Sequence, residues 1–201
     1  MTIHPAQEAK ARQRVAILIS GNGTNMVEIV HARKRGALDA DIALVISDNP
    51  NAPGLGKAKK LGCRTFVAEY AAGAPREENE RSIVEAIEQN NVDWIVLAGF
   101  MRILSASFVR RFPGRIVNIH PSLLPAFPGA HAIKDAFEAG ADITGVTIHI
   151  VDELVDHGPI IAQEEVPVLP GDTLETLETR IHATEHALYP KTLQALFTED
   201  I

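Results

Sequence analysis

The stretch RVAILISGNGTNMVEIVHARKRG, residues 14–36, predicts the fold of the chain. Residues 14–20 form a short apolar run that ends in a glycine-bearing loop. Residues 25–36 then place apolar side chains at helical spacing and end on a glycine, as helices commonly do. We therefore predict a strand, a loop and a helix.

The same unit recurs through the first half of the chain. Apolar runs at 41–47 and 64–69 each precede a predicted helix, near 53–61 and 76–90. Two more apolar runs, VDWIVLAG and GRIVNIH, continue the series. Because continuous apolar strands that alternate with helices are typical of a parallel sheet covered on both faces, we predict a doubly wound α/β architecture.

The pattern changes after about residue 140. Residues 143–151 alternate between apolar and polar, and 158–170 contain a second extended run. Residues 173–197 have a helical pattern, with a kink predicted at Pro190. We expect an antiparallel C-terminal addition to the mostly parallel sheet and a long closing helix. No linker-like stretch separates the halves, so we expect a single domain over 1–201.

The amino-acid composition limits the kinds of partner and the cellular compartment that we expect for this chain. The formal net charge of −7, from 26 acidic and 19 basic residues, argues against nucleic-acid or membrane-surface partners. The single cysteine, Cys63, provides neither a disulfide framework nor a zinc cluster, which fits a reducing compartment. The polar N-terminus lacks the apolar core of a signal peptide, and no apolar run reaches membrane-spanning length. We expect a cytoplasmic protein whose residues 1–12 form a flexible extension.

The loop SGNGTN, residues 20–25, follows the first predicted strand. In such sheets ligands bind beyond the carboxyl ends of the strands, and backbone amides at a helix N-terminus attract anions. The loop therefore predicts a phosphate site. It is not a dinucleotide or P-loop fingerprint, because Met26 stands at the third glycine position and no lysine follows. A tight glycine turn without a ligand is the alternative.

Asn118 and His120 end the fifth predicted strand. Residues two apart in a strand face the same way, and Pro121 cannot supply the next backbone hydrogen to a sheet ladder. Pro125 and Pro128 stiffen the loop that follows. An amide donor beside an imidazole suits oxyanion stabilisation and proton transfer near neutral pH. The alternative for His120 is a satisfied structural histidine.

The segment VDELVDHGP, residues 151–159, is an acidic loop after the alternating strand. Its spacing matches no calcium loop, and no second histidine falls at zincin spacing, so we expect no metal. A carboxylate of this loop within about 4–6 Å of a histidine would favour the protonated imidazole. The alternative is a solvated loop without a function.

The chain resembles the phosphoribosylglycinamide formyltransferases, the folate-dependent transformylases of purine synthesis. The resemblance runs nearly end to end and rests on VAILISGNGTN, VLAGFMRILS, IVNIHPSLLPAFPG, GVTIHIVDELVDHGPIIAQ and TEHALYP. NIHPSLLP is shared with other enzymes that use 10-formyltetrahydrofolate, whereas SGNGTN and EHALYP select this branch. The resemblance implies a Rossmann-like formyltransferase fold, with 13–115 mainly holding the nucleotide and 116–201 carrying catalysis and folate contacts.

The resemblance also implies roles for individual residues. The catalytic residues are Asn118, His120 and Asp156, with Asp156 keeping His120 protonated while His120 and Asn118 hold the tetrahedral oxyanion. The residues expected to bind the ribonucleotide substrate, with Glu185 on its ribose hydroxyls, are Gly23, Thr24, Asn25, His182, Ala183, Thr184 and Glu185. The residues expected to form the folate pocket are Arg76, Met101, Arg102, Ile103, Leu104, Asn118, Asp152, Glu153, Leu154, Val155 and Asp156.

For two of these groups the sequence alone also allows a purely structural role. GFMRIL alone reads as a strand end entering a helix, with Met101, Ile103 and Leu104 in the core, and Glu185 alone reads as a solvated helix position. Two residues depart from the family pattern. His157 replaces a glycine found in some relatives, and Asn79 stands where an apolar residue is expected, which makes the Arg76 assignment the weakest.

The implied partners are glycinamide ribonucleotide and 10-formyltetrahydrofolate, without metal, nucleic acid or membrane, in a monomer or homodimer. Methionyl-tRNA formyltransferase shares the core but has a further C-terminal domain, and formyltetrahydrofolate hydrolase has an additional N-terminal domain. We expect neither addition in this chain of 201 residues. Another formyltetrahydrofolate-using enzyme and a non-catalytic nucleotide-binding module remain the alternative functions.

Overall fold

The computed structural model describes residues 12–198, so the predicted N-terminal extension lies almost entirely outside the described residues. The strands are β1 Gln13–Ile19, β2 Ala40–Ser47, β3 Thr65–Val67, β4 Trp94–Leu97, β5 Ile116–His120, β6 Ile143–Ile150 and β7 Ile160–Pro167. The helices are α1 Thr24–Lys34, α2 Pro53–Lys60, α3 Arg76–Gln89, α4 Ala106–Arg111, α5 Ala132–Glu138 and α6 Leu174–Thr198.

All seven strands form one sheet in the order β3-β2-β1-β4-β5-β6-β7. The strands from β3 to β5 pair in parallel, while β6 and β7 are added antiparallel at the other side. The chain therefore winds outward from β1 in one direction and from β4 in the other. The carboxyl ends of these two central strands mark the crevice where ligands bind in such sheets. The predicted doubly wound sheet with an antiparallel addition is confirmed.

The sheet is buried on both faces. Val117 and Ile119 lie in the core that α1 and α6 cover, whereas Ile116 belongs to the core under α3 and α4. This alternation confirms the face assignment made for β5. Since Asn118 and His120 alternate with Val117 and Ile119, the two polar side chains project from the face of Ile116.

The closing helix α6 is anchored to the centre of the sheet. The fully buried Tyr189 donates its hydroxyl to the carbonyl of Leu97 at 3.0 Å and lies 3.1 Å from the carbonyl of Val117. The helix continues through Pro190 to Thr198, so it is not interrupted there. The anchoring residue belongs to the same helix as the predicted substrate residues 182–185.

The sequence pattern did not predict the helices α4 and α5. They have six and seven residues, which is too short to show a helical period. Ser105 caps α4 by accepting a hydrogen bond from the backbone nitrogen of Phe108 at 3.1 Å. Within residues 12–198, no helix combines the length and the apolar composition needed to cross a membrane.

Candidate active site

Asn118 and His120 lie at the carboxyl end of β5, where strand pairing ends before Pro121. Across the antiparallel ladder, His149 of β6 stands directly opposite Asn118, and Thr147 stands opposite His120. Directly opposed residues point to the same face of a sheet. The ladder therefore gathers an amide and two imidazoles on one side of the strand ends.

His120 is almost completely enclosed. One ring nitrogen, Nε2, lies 2.9 Å from the carbonyl oxygen of Phe127. Because a carbonyl oxygen only accepts, Nε2 carries the hydrogen in this contact. The other ring nitrogen, Nδ1, faces the carboxylate of Asp156 at 3.5 Å. The ring is thus held between the proline-rich loop and the acidic loop.

Asp156 reaches His120 because the loop after β6 folds back over the end of β5. The loop begins with the backbone nitrogen of Val151 donating to the carbonyl of Ile116 at 2.8 Å. Asp156 itself has a left-handed backbone with φ of 51°, and its carboxylate also accepts the backbone N–H of Gly129 at 2.8 Å. The Asp156 side chain is only 10% exposed, so the solvated-loop alternative fails for this residue.

His149 was not identified from the sequence. Its Nδ1 lies 3.0 Å from the carbonyl of Ile150, and its Nε2 lies 3.2 Å from the amide nitrogen of Asn118. The carbonyl requires a hydrogen on Nδ1, so Nε2 accepts from the Asn118 amide and fixes its orientation. The only sequence signal was a polar residue at the end of an alternating apolar strand.

The His149 ring is expected to make folding stability depend on pH. Burial lowers the pKa of His149 below the ordinary 6.5, more than its backbone contact and the nearby Asp156 raise it. Below pH 6.5 the unfolded chain therefore binds a proton that the folded chain resists. Stability should be intact above that pH and should fall as the pH drops through it. His149→Gln should flatten this part of the profile in urea titrations, and an unchanged slope would contradict the assignment.

The glycine-rich loop after β1 is shaped by α2. Gly23 precedes α1 with a left-handed backbone, φ 63°, and the backbone nitrogen of Gly54 donates to the carbonyl of Gly21 at 3.0 Å. The ammonium group of Lys57, in α2, donates a hydrogen bond to the carbonyl of Asn22 at 2.9 Å. No lysine follows SGNGTN in the sequence as it would in a P-loop, but the fold brings Lys57 to this loop from the next helix. A cation beside the backbone amides at the start of a helix suits an anion.

The loop also meets the predicted substrate residues of α6. The amide nitrogen of Asn25 donates to Oε2 of Glu185 at 2.9 Å, and Nδ1 of His182 lies 3.0 Å from the same oxygen. Glu185 is only 4% exposed, so its reading as a solvated helix position is wrong. The hydrogen bond with Glu185 raises the pKa of His182, which favours its cationic form. Ala183 is exposed, and Thr184 is half-buried on the same turn.

Gly54→Ala is expected to disturb the glycine-rich loop. A methyl group at Gly54 would lie 2.5 Å from Cδ1 of Ile19 and 2.9 Å from the carbonyl oxygen of Gly21, so the loop backbone must shift. Overpacking of this kind costs about 1–3 kcal/mol. We expect a lower melting temperature and a weaker affinity for a phosphorylated ligand, measured by thermal scanning and calorimetric titration.

Gly56→Ala is the matched control for that substitution. It lies in the same helix, and a methyl group there would meet no atom within 4 Å. Removing a glycine from a helix interior stabilises by about 0.5–1 kcal/mol. Equal losses in the two variants would show that close packing at Gly54 does not shape the loop.

The predicted folate residues lie along the same edge of the sheet. Met101 and Ile103 are 69% and 53% exposed, so the reading that buries them in the core is wrong. Leu104 is half-buried against the core under α3 and α4, whereas Arg102 pairs with Asp48 at 2.6 Å. The backbone nitrogen of Met101 donates to Oγ of Ser20 at 2.8 Å, which ties this segment to the glycine-rich loop.

The acidic loop presents most of its predicted folate residues to solvent. Leu154 and Val155 are 61% and 54% exposed, and Glu153 pairs with Arg110 at 2.8 Å. His157, the bulkier residue at a family glycine position, pairs with Asp152 at 2.8 Å. The loop thus combines one enclosed carboxylate, that of Asp156, with an exposed apolar tip.

Asn79 has a local structural role that explains its polarity. Its side chain accepts the backbone N–H of Ala71 at 2.7 Å and lies 3.4 Å from the carbonyl of the same residue. An apolar side chain could not hold the loop that precedes α3 in this way. Arg76, the first residue of α3, is exposed, so its side chain is accessible to an anion.

One groove of the structure lies apart from this site. A groove of about 840 Å³ lies at the opposite end of the sheet, lined in part by Trp94, Arg115, Ile160 and Leu196. It contains none of the predicted catalytic residues. The proposed catalytic side chains lie instead at the carboxyl ends of the strands, where ligands bind in sheets of this kind.

The fold and the site together define an α/β protein that carries an amide, two imidazoles and a carboxylate at the same sheet edge as a glycine-rich loop. The family model described as formyl transferase matches residues 13–193. Since that match covers most of the chain, the chain belongs to the formyl transferase family.

Individual relatives agree with this assignment. A phosphoribosylglycinamide formyltransferase of Bacillus subtilis is 41% identical over 92% of this chain and 94% of its own length. The crystal structure of phosphoribosylglycinamide formyltransferase from Bacillus halodurans matches with a TM-score of 0.90 and 46% identity, covering 94% of this chain and 97% of that one. The trifunctional purine biosynthetic protein adenosine-3 of Drosophila melanogaster is 46% identical over 94% of this chain, which spans only 14% of that relative.

Proposed function

We propose that the chain transfers the formyl group of 10-formyltetrahydrofolate to the amine of 5-phosphoribosylglycinamide in de novo purine biosynthesis. The products are formylglycinamide ribonucleotide and tetrahydrofolate. The observation that carries this proposal is the convergence of Asn118, His120 and Asp156 at the end of β5, with Asp156 3.5 Å from His120. It is supported by the relatives named phosphoribosylglycinamide formyltransferase that match over most of both lengths.

The reaction requires charge stabilisation and a proton transfer. The substrate amine attacks the formyl carbon, and the carbonyl oxygen takes up the negative charge of a tetrahedral intermediate. The bond from that carbon to N10 of the folate then breaks, and the amine's proton passes to N10. Enzymes accelerate such steps by hydrogen-bond donors aimed at the developing oxyanion and by a group that exchanges protons near neutral pH.

Asn118 and His120 are the proposed donors. The Asn118 amide gives one hydrogen to His149, which leaves its second N–H for the oxyanion. His120 donates Nε2–H to the carbonyl of Phe127 at 2.9 Å. Donation to a substrate oxygen requires that this hydrogen bond opens. Phe127 has a left-handed backbone, φ 53°, which is strained for a residue with a side chain.

Asp156 is the proposed partner of the charged His120. A carboxylate facing Nδ1 complements the positive charge of an imidazolium and fixes the plane of the ring. Its second contact, with the backbone of Gly129, holds the carboxylate in place. Through water, the same group relays the proton that the amine loses.

The glycine-rich loop and α6 are proposed to hold the phosphoribosyl part of the substrate. Backbone amides of residues 23–25 and the ammonium of Lys57 complement a phosphate, and the raised pKa of His182 adds a further cationic group. Glu185 accepts hydrogen bonds and is placed beside Asn25, where ribose hydroxyls would donate to it. The folate is proposed to lie over residues 101–104 and the loop 152–156, with Arg76 near its carboxylates.

The test is to incubate the protein with glycinamide ribonucleotide and 10-formyltetrahydrofolate and to measure the formylated product by mass spectrometry. We expect one formylated nucleotide for each folate consumed. Folate consumption that proceeds without the nucleotide, with formate as product, would indicate a hydrolase. Binding of the nucleotide without any turnover would indicate a non-catalytic module.

A further inference from the structure

Three side chains outside the proposed catalytic group meet at one edge of the sheet, each in a segment that follows the carboxyl end of a strand. Asp48 directly follows β2, Tyr70 follows β3, and Arg102 lies in the segment after β4. We call these three residues the arginine clamp. They lie at the same edge of the sheet as Met101 and Ile103, which are exposed.

The arginine clamp fixes the guanidinium of Arg102 from two directions. Its Nε–H donates to Oδ2 of Asp48 at 2.6 Å, and its central carbon lies 5.0 Å from the centre of the Tyr70 ring. The Tyr70 ring is itself packed edge-on against Phe100 at 6.3 Å. Neither terminal amino group of Arg102 has a hydrogen-bond partner within residues 12–198, and the side chain is 48% exposed. The guanidinium is therefore held at its stem and face, with its fork open.

The ion pair between Asp48 and Arg102 is not explained by a contribution to folding stability. Asp48 is only 3% exposed in its side chain, and its second oxygen has no hydrogen-bond partner in the described part of the chain. A buried carboxylate opposite a half-exposed cation loses hydration that the pair recovers only in part. Such an arrangement is understandable if the orientation of Arg102 matters, because a planar fork binds a carboxylate through two parallel hydrogen bonds.

The surroundings indicate which ligand the fork meets. Met101 and Ile103 offer exposed apolar area beside it, as a flat ligand with a terminal carboxylate would require. Arg76 lies near enough to act on Tyr70: burial raises the Tyr70 pKa well above its ordinary value, and Arg102 and Arg76 oppose that rise. The Arg102 guanidinium over the Tyr70 ring therefore lies at the same sheet edge as the exposed Met101 and Ile103.

We propose that Asp48 and Tyr70 are positioning residues that aim the Arg102 fork at the glutamate carboxylate of the folate substrate. The inference rests on the proposed function and deepens it, because it gives a role to Asp48 and Tyr70, which lie outside the expected folate pocket and contact Arg102 of that pocket. Asp48 and Tyr70 should therefore affect the binding only of a ligand that carries the glutamate.

The experiment compares Asp48→Asn with the unmodified protein on two ligands, 10-formyltetrahydrofolate and 10-formyltetrahydropteroate, which lacks the glutamate. We expect Asp48→Asn to raise KM for the folate about five- to tenfold, with kcat and KM for the nucleotide changed less than twofold. For the pteroate, whose only carboxylate is attached to the benzoyl ring and lies short of the glutamate carboxylates, KM should change less than twofold between the two proteins. Tyr70→Leu should repeat this pattern, whereas Tyr70→Phe, which keeps the ring, should not.

Asp41→Asn is the matched control, because Asp41 lies on β2, the strand that Asp48 follows, and pairs with Arg33 at an exposed site. Equal rises in KM for the folate and the pteroate, or a fall in KM on removing Asp48, would overturn the inference. Equilibrium titration of the two ligands gives the same comparison without turnover. A protein that binds folate with the expected tail dependence but makes no product would refute the proposed function and leave the arginine clamp supported.

Discussion

Replacing His120 by alanine is expected to lower kcat by about two to four orders of magnitude, while KM for either substrate changes much less. The reason is that the imidazole acts on charge that appears only in the transition state, and such interactions affect kcat. His120 is buried between Phe127 and Asp156, so it has few contacts to lose with a bound substrate before the reaction. Steady-state kinetics with each substrate varied in turn measures both parameters.

His31→Ala is the control for this substitution, since His31 is a partly exposed histidine on α1 that pairs with Glu28. Its kcat should be unchanged. If His120→Ala acted mainly by raising KM, the imidazole would be a binding group and the catalytic assignment would be wrong. A melting temperature close to that of the unmodified protein is needed to exclude unfolding as the cause.

Asp156→Asn is expected to lower kcat by about two to three orders of magnitude. The asparagine has nearly the same shape but carries no charge, so the imidazolium of His120 loses its partner at 3.5 Å. The amide can still accept the N–H of Gly129 through its oxygen, which preserves the loop. The loss should therefore fall on the chemical step, and thermal stability should change little.

Asp142→Asn is the corresponding control, because Asp142 is an exposed carboxylate that directly precedes β6. It should leave kcat unchanged. A near-normal kcat for Asp156→Asn would mean that orientation of the ring, which an amide also supplies, is sufficient without the charge.

The sequence predicted the parts of the site that belong to single strands and loops. Asn118 and His120 could be placed on one face because a strand has a period of two, and the buried positions of Val117 and Ile119 confirm that face. The glycine-rich loop could be placed at a sheet edge because an apolar strand precedes it. The roles given to these residues remain predictions.

The parts that the sequence did not predict depend on contacts between distant segments. His149 meets Asn118 only through the antiparallel register of β5 and β6, which periodicity does not define. Lys57 reaches the glycine-rich loop from the following helix, and Asp48 reaches Arg102 across the sheet edge. Predicting any of these contacts requires knowledge of the order of the strands in the sheet. A local sequence pattern predicts only the secondary structure.

The most direct measurement is the single-turnover rate of formyl transfer with enzyme in excess and both substrates saturating. It should be made for Asn118→Ala, His120→Ala and the double variant. Because both side chains are proposed to stabilise one oxyanion, each single variant should lose at least about 100-fold, and the double variant should lose less than the product of the two losses. Transfer rates that stay near that of the unmodified protein, or losses that multiply independently, would contradict a shared role for this amide and imidazole.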